Sequence, residues 1–179
     1  MKIKLKKIGK NIDFPSNQFV NDAIKWMEYA IFQGKRTISA NNDKKDRSRI
    51  YYFEKDVFVF TLNKAIYMLK ISTREYSEMQ KFLDIIENAL GKGKVEILND
   101  MLTHIDAYLE DSGKYQNEFV YDEGSIDSAF NGLVCDATHT TITKDGSILI
   151  GGKINVQESI RILEEVLPQV ERFFESTVS

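Results

Sequence analysis

Residues Lys144-Asp145-Gly146-Ser147 lie between two runs rich in β-branched residues, and they constrain this chain more than any other stretch of the same length. Asp-Gly supplies the positive φ angles of a tight type I′ turn, so residues 137–143 and 147–151 are predicted to pair antiparallel. Gly151-Gly152 then releases the chain into a closing helix. Asn155 is placed to cap that helix and Glu158 to reach back and complete a capping box. Val156, Ile160, Leu163, Leu167, Val170 and Phe174 form its apolar stripe. Pro168 removes a backbone donor within it, which predicts a kink or a new segment near Leu167.

Upstream, the same rules give alternating blocks. Residues 1–6 alternate Lys with Ile and Leu, as an edge strand does. Pro15 and Ser16 open a helix to about Gln33, with Gly34 as its stop and Trp26 at the margin of its stripe. Residues 36–40, 49–53, 57–62 and 66–71 are rich in β-branched and aromatic residues and read as strands, the last three as a meander broken at Glu54-Lys55-Asp56 and Asn63-Lys64-Ala65. Ser72-Thr73-Arg74-Glu75 matches a capping box before a helix ending at Gly91, and a further helix runs from about Val95 to Gly113. Residues 117–121 and 133–143 read as strands around a loop at 122–128. Helices and strands grouped in blocks predict an α+β fold, a mostly antiparallel sheet with about four helices packed on it, in a single domain over residues 1–179.

The composition, with 42% hydrophobic and 28% charged residues and 2 prolines, excludes a disordered or collagen-like chain. The basic start is followed by Asp13, Asp22 and Lys25 rather than an apolar segment, so no signal peptide is expected. The most apolar run, 57–69, is interrupted by Lys64, and no membrane partner is expected. One cysteine cannot make an internal disulfide, which points to a reducing, cytoplasmic setting.

Charge is distributed unevenly although the net value is only −3. Residues 1–50 hold 12 basic against 5 acidic side chains, whereas 101–150 hold 2 against 9. The 27 residues from Glu110 to Asp136 include a single Lys and no Arg. That bias suits a strongly basic protein partner, such as a nuclease whose phosphate sites carboxylates would occupy. The expected contact residues are Asp111, Glu118, Asp122, Glu123 and Asp127, with Tyr115 and Tyr121 as aromatic anchors.

Catalytic motifs are sparse. Cys135, Asp136 and His139 combine a thiol, a carboxylate and an imidazole, the groups of thiol-based acyl transfer. On a straight strand Cys135 and His139 would stand about 13 Å apart, so an enzyme using them needs a bend. Cys135 is therefore expected to be structural. His104 has no second ligand at helical spacing, Gly91-Lys92-Gly93-Lys94 lacks phosphate-loop spacing, and neither a metal nor a cofactor is implied. A nucleic-acid module would use the basic N-terminal third, including Lys35, Arg36, Lys44, Lys45, Arg47 and Arg49, but a strand at 49–53 leaves at most Tyr52 as a stacking platform.

The segment Ile142-Thr143-Lys144-Asp145-Gly146-Ser147-Ile148-Leu149-Ile150-Gly151-Gly152, followed by Asn155-Val156-Gln157-Glu158-Ser159-Ile160, resembles the strand-turn-strand-helix ending of some contact-dependent growth inhibition immunity proteins. The resemblance is confined to this closing region. It implies a small cytoplasmic protein that neutralises a cognate toxin domain, often a nuclease, by binding rather than by catalysis.

Overall fold

The computed structural model describes residues 17–42, 49–122 and 134–178. Helix α1 (Gln18–Asn42) and helix α2 (Arg49–Ser72) form an antiparallel hairpin, in which Trp26 meets Phe60 and Gln33 meets Glu54. Then come α3 (Met79–Leu90), α4 (Lys94–Thr103), α5 (Ile105–Leu109) and a 3-10 turn (Gln116–Glu118). Strands β1 (Val120–Asp122) and β2 (Val134–Asp136) pair antiparallel, and β3 (Thr140–Ile142), β4 (Ile148–Ile150) and β5 (Ile154–Asn155) form a second antiparallel sheet. Helix α6 (Val156–Val178) closes the described chain and packs on α1 and α3. One apolar core joins these elements, from Val20 and Met27 through Phe58, Leu62, Phe82 and Leu98 to Ile150, Leu163 and Val170.

The expected mostly antiparallel sheet with about four helices is corrected: the fold is mostly helical, 71% helix against 9% strand among the described residues. The largest difference is α2, which replaces the three-stranded meander over 49–71. Its buried residues Tyr51, Phe58, Leu62, Ala65 and Leu69 recur every three, four or seven residues, the repeat of one helix face. Val, Ile, Phe and Tyr fit a packed helix as readily as a pleated surface, so period decides where composition does not. The strand expected at 36–40 is likewise the end of α1, which continues through Gly34. A Cβ on Gly34 would stand 2.8 Å from Cγ1 of Ile160 and 3.0 Å from the Phe58 ring, so this glycine admits α6 and α2 to close packing instead of stopping the helix.

Ser72 ends α2, its Oγ donating 2.8 Å to the Met68 carbonyl, and α3 starts at Met79 with no side-chain cap. The long strand expected at 133–143 is broken by a turn after β2, where the amide of His139 donates 3.0 Å to the Asp136 carbonyl. The edge strand expected at 1–6 lies outside the described residues.

The closing hairpin forms, with Thr140 opposite Ile150 and Ile142 opposite Ile148. Its turn differs from type I′. Only Gly146 has a positive φ, 84°, and its amide donates to the Thr143 carbonyl, so a three-residue loop with a left-handed glycine joins the strands. The Asn155 side chain caps α6 by accepting from the Glu158 amide at 3.0 Å. Glu158 does not complete the box, because its carboxylate binds Arg161. Val156, Ile160 and Leu163 are buried and Leu167 is half-buried, and α6 runs through Pro168 as one helix.

Candidate functional site

The acidic stretch is organised by Tyr108 at the end of α5. Its ring is buried and stacks on Phe119 at 5.2 Å between centroids. Its hydroxyl donates 2.6 Å to Oδ2 of Asp100 and accepts 3.1 Å from the Tyr115 amide. Burial and the Asp100 hydrogen bond push its phenol up to about 12. Gln116 locks the loop from the other side: its amide donates to the Tyr108 carbonyl at 3.0 Å and to Asp111 at 3.2 Å, while its oxygen accepts from the Gly113 amide at 3.1 Å. Gly113 is required, because a Cβ there would collide with the Tyr108 ring. Asp111 adopts φ 55°, a left-handed conformation that a short polar side chain tolerates.

This frame brings together three of the expected contact residues. Asp111 and Glu118 are exposed, and Tyr115 is half-buried beneath Lys114, 4.6 Å from its ring. Glu118 is partly neutralised by Lys153, at 2.9 Å. Tyr121 and Asp122 belong to β1 and pair in register with Cys135 and Val134. Glu123 and Asp127 lie outside the described residues.

Sequence reasoning missed two parts of the site. Leu109 is 67% exposed and Val120 53% exposed, and they directly follow the stacked Tyr108 and Phe119 in the chain. Asp106, Glu110, Asp111 and Glu118 in the same stretch of chain are exposed as well. The helix expected from about Val95 to Gly113 is instead two, α4 and α5, and α5 ends at Leu109 with Tyr108 buried and Leu109 exposed.

The second is a buried polar cluster between α1 and α2, at the Glu54-Lys55-Asp56 triplet read as a turn. The Glu54 carboxylate accepts from Gln33 and from Arg36, and its carbonyl accepts from Thr37 at 3.1 Å. Lys55 is buried beside it and donates 2.6 Å to the Thr138 carbonyl, with Asp56 3.7 Å away. Burial lowers the Lys55 ammonium from its ordinary value, opposed by Asp56 and then Asp136. Burial likewise raises the Asp56 carboxyl, opposed by Lys55. Asp136 shapes the receiving turn, accepting from the Thr138 amide at 2.8 Å and its hydroxyl at 2.6 Å. The cluster ties the β2–β3 turn to the helical hairpin. Its signal was the helical period, which puts Glu54 and Lys55 on the core face.

Cys135 is buried and His139 half-buried on either side of that turn, so the bend that a straight strand would lack exists. No metal-holding group of three or more His, Cys, Asp or Glu occurs among the described residues. Of the basic set, Lys35 pairs with Glu164 at 2.6 Å and Arg36 with Glu54, while Lys44, Lys45 and Arg47 lie outside the described residues. Helical α2 exposes Phe53 as well as Tyr52, correcting the expectation of one stacking platform at most. No helix among the described residues is long and apolar enough to cross a membrane. Compared with protein-family models, curated proteins and solved structures, the chain matches none.

Proposed function

We propose that this chain is a non-enzymatic binding protein that engages a basic protein partner through the face built by α5, the 3-10 turn and β1. The reading extends to an immunity protein that neutralises a cognate toxin domain, a nuclease among the candidates, in the cytoplasm. The observation that carries it is that Leu109 and Val120, next in sequence to the stacked Tyr108 and Phe119, are exposed in a stretch whose Asp106, Glu110, Asp111 and Glu118 are exposed too. Apolar anchors within a charged rim give affinity at the centre and steering at the edge. Tyr108, Gln116 and Gly113 hold the loop before binding, which lowers the ordering cost of association.

The test is growth rescue. A toxin domain encoded by the gene immediately upstream is expressed with this chain, and growth is expected to be restored. It is expected to be lost when Leu109 and Asp111 are replaced by Lys. Rescue by the double variant, or failure of the wild-type chain to protect, counts against the reading.

A further inference from the structure

A groove of about 420 Å³ opens where the end of α2 faces the α3–α4 junction. Its volume lies within the range of small-molecule sites, roughly 300–1,000 Å³. Leu90 and Val95 are buried at its floor, joined by half-buried Ile66 and Ile71. The walls carry opposite charge. Lys70, in the last turn of α2, and Arg74, in the turn beyond it, line the groove together with Glu87 of α3 and Glu96 of α4. None of these four side chains makes an ion pair among the described residues, although ion pairs form elsewhere on the surface. Gly91 and Gly93, at φ 84° and 78°, turn the chain sharply between α3 and α4, and both contribute to the groove wall.

An apolar floor bounded by two cations and two carboxylates, all unpaired, complements a ligand with an apolar body and one charge of each sign. We propose that this groove binds a short peptide with free ends, its carboxylate on Lys70 and Arg74, its ammonium on Glu87 and Glu96, and its apolar side chains over Leu90 and Val95. Arg74 offers a guanidinium fork for two-point recognition of the carboxylate, which a neutral or purely cationic ligand would leave unused. A purely anionic ligand would meet Glu87 and Glu96 without compensation.

The experiment titrates the dipeptide Leu-Leu into ¹⁵N-labelled full-length protein, with N-acetyl-Leu-Leu and Leu-Leu amide as probes lacking one charge each. Saturable shifts at the Gly91, Gly93 and Val95 amides are expected with Leu-Leu, and at least fivefold weaker binding of both analogues. Arg74→Gln should weaken Leu-Leu at least fivefold and leave the amide analogue unchanged. Glu87→Gln should weaken Leu-Leu and leave the acetylated analogue unchanged. Both residues border solvent in the groove, and an unchanged circular dichroism spectrum checks each fold. No shift at those amides up to about 10 mM, where even millimolar affinity registers, overturns the proposal. Equal binding of all three probes, or of Leu-Leu and the acetylated form, overturns it too.

Discussion

Glu54 and Arg36 form one ion pair, yet removing the two partners should have very different consequences. The Glu54 side chain is 4% exposed and the Arg36 side chain 52% exposed. In Arg36→Ala the guanidinium takes with it a half-solvated interaction, and Gln33 still donates to the carboxylate. Oε1 of Glu54 loses both its Arg36 donors, but water can replace the half-exposed guanidinium, so a cost of about 1–2 kcal/mol follows. In Glu54→Ala the Gln33 amide, itself buried, loses its side-chain acceptor and keeps only the Glu54 carbonyl, 3.1 Å away. Hydrogen bonds to a charged group contribute roughly 1.5–3 kcal/mol each, and a small void opens between α1 and α2. Relief of the buried carboxylate's desolvation offsets part of that. The expected net loss is about 2–3 kcal/mol, larger than that of Arg36→Ala. Urea unfolding of both variants, followed by circular dichroism, measures it. Equal losses, or a larger loss for Arg36→Ala, would refute the reasoning.

Five further outcomes are expected. Tyr108→Phe should cost about 1–3 kcal/mol in urea unfolding, because the Tyr115 amide and Asp100 lose their shared partner. The folded Tyr108 holds its proton to about 12, above the ordinary 10, so wild-type stability should fall as pH rises from 10 to 12, and less steeply in Tyr108→Phe. Lys55 has the opposite sign: its folded value is lowered, the unfolded chain binds more protons below 10.5, and stability should rise with pH up to that value, a slope lost in Lys55→Met when unfolding is measured across alkaline pH. Leu163→Ala should lose about 2–5 kcal/mol by thermal or urea unfolding, since Leu163 is fully buried in the core. Cys135, buried on β2, should label slowly with a thiol reagent near neutral pH, whereas fast labelling with loss of function in Cys135→Ser would revive thiol catalysis.

The closing hairpin and α6 were legible because local chemistry specifies them: Gly146 takes the left-handed position and Asn155 accepts the Glu158 amide. The detail failed where a side chain had a stronger partner, as when Glu158 bound Arg161 instead of completing its box. Helix α2 was not legible from residue type. Its β-branched and aromatic content matched strands, although Phe58, Leu62 and Leu69 stand at the spacing of one helix face, the face that the structure buries. Gly34 misled for a similar reason, since a glycine that ends a helix and one that admits a neighbouring helix look alike in sequence. The acidic stretch could be counted along the chain, but exposure of Leu109 and Val120 depended on where α5 stops and β1 begins. Glu54 and Lys55, read as turn charges, became buried once the turn proved to be helix.

The most direct test of the binding face is a stopped-flow measurement of association between this chain and its cognate basic domain at several salt concentrations. The account predicts an on-rate that falls as ionic strength rises, and that drops strongly when Glu110 and Asp111 are both reversed to Lys, while Leu109→Ala mainly speeds dissociation. An on-rate insensitive to salt and to both reversals, with dissociation unchanged in Leu109→Ala, would contradict it.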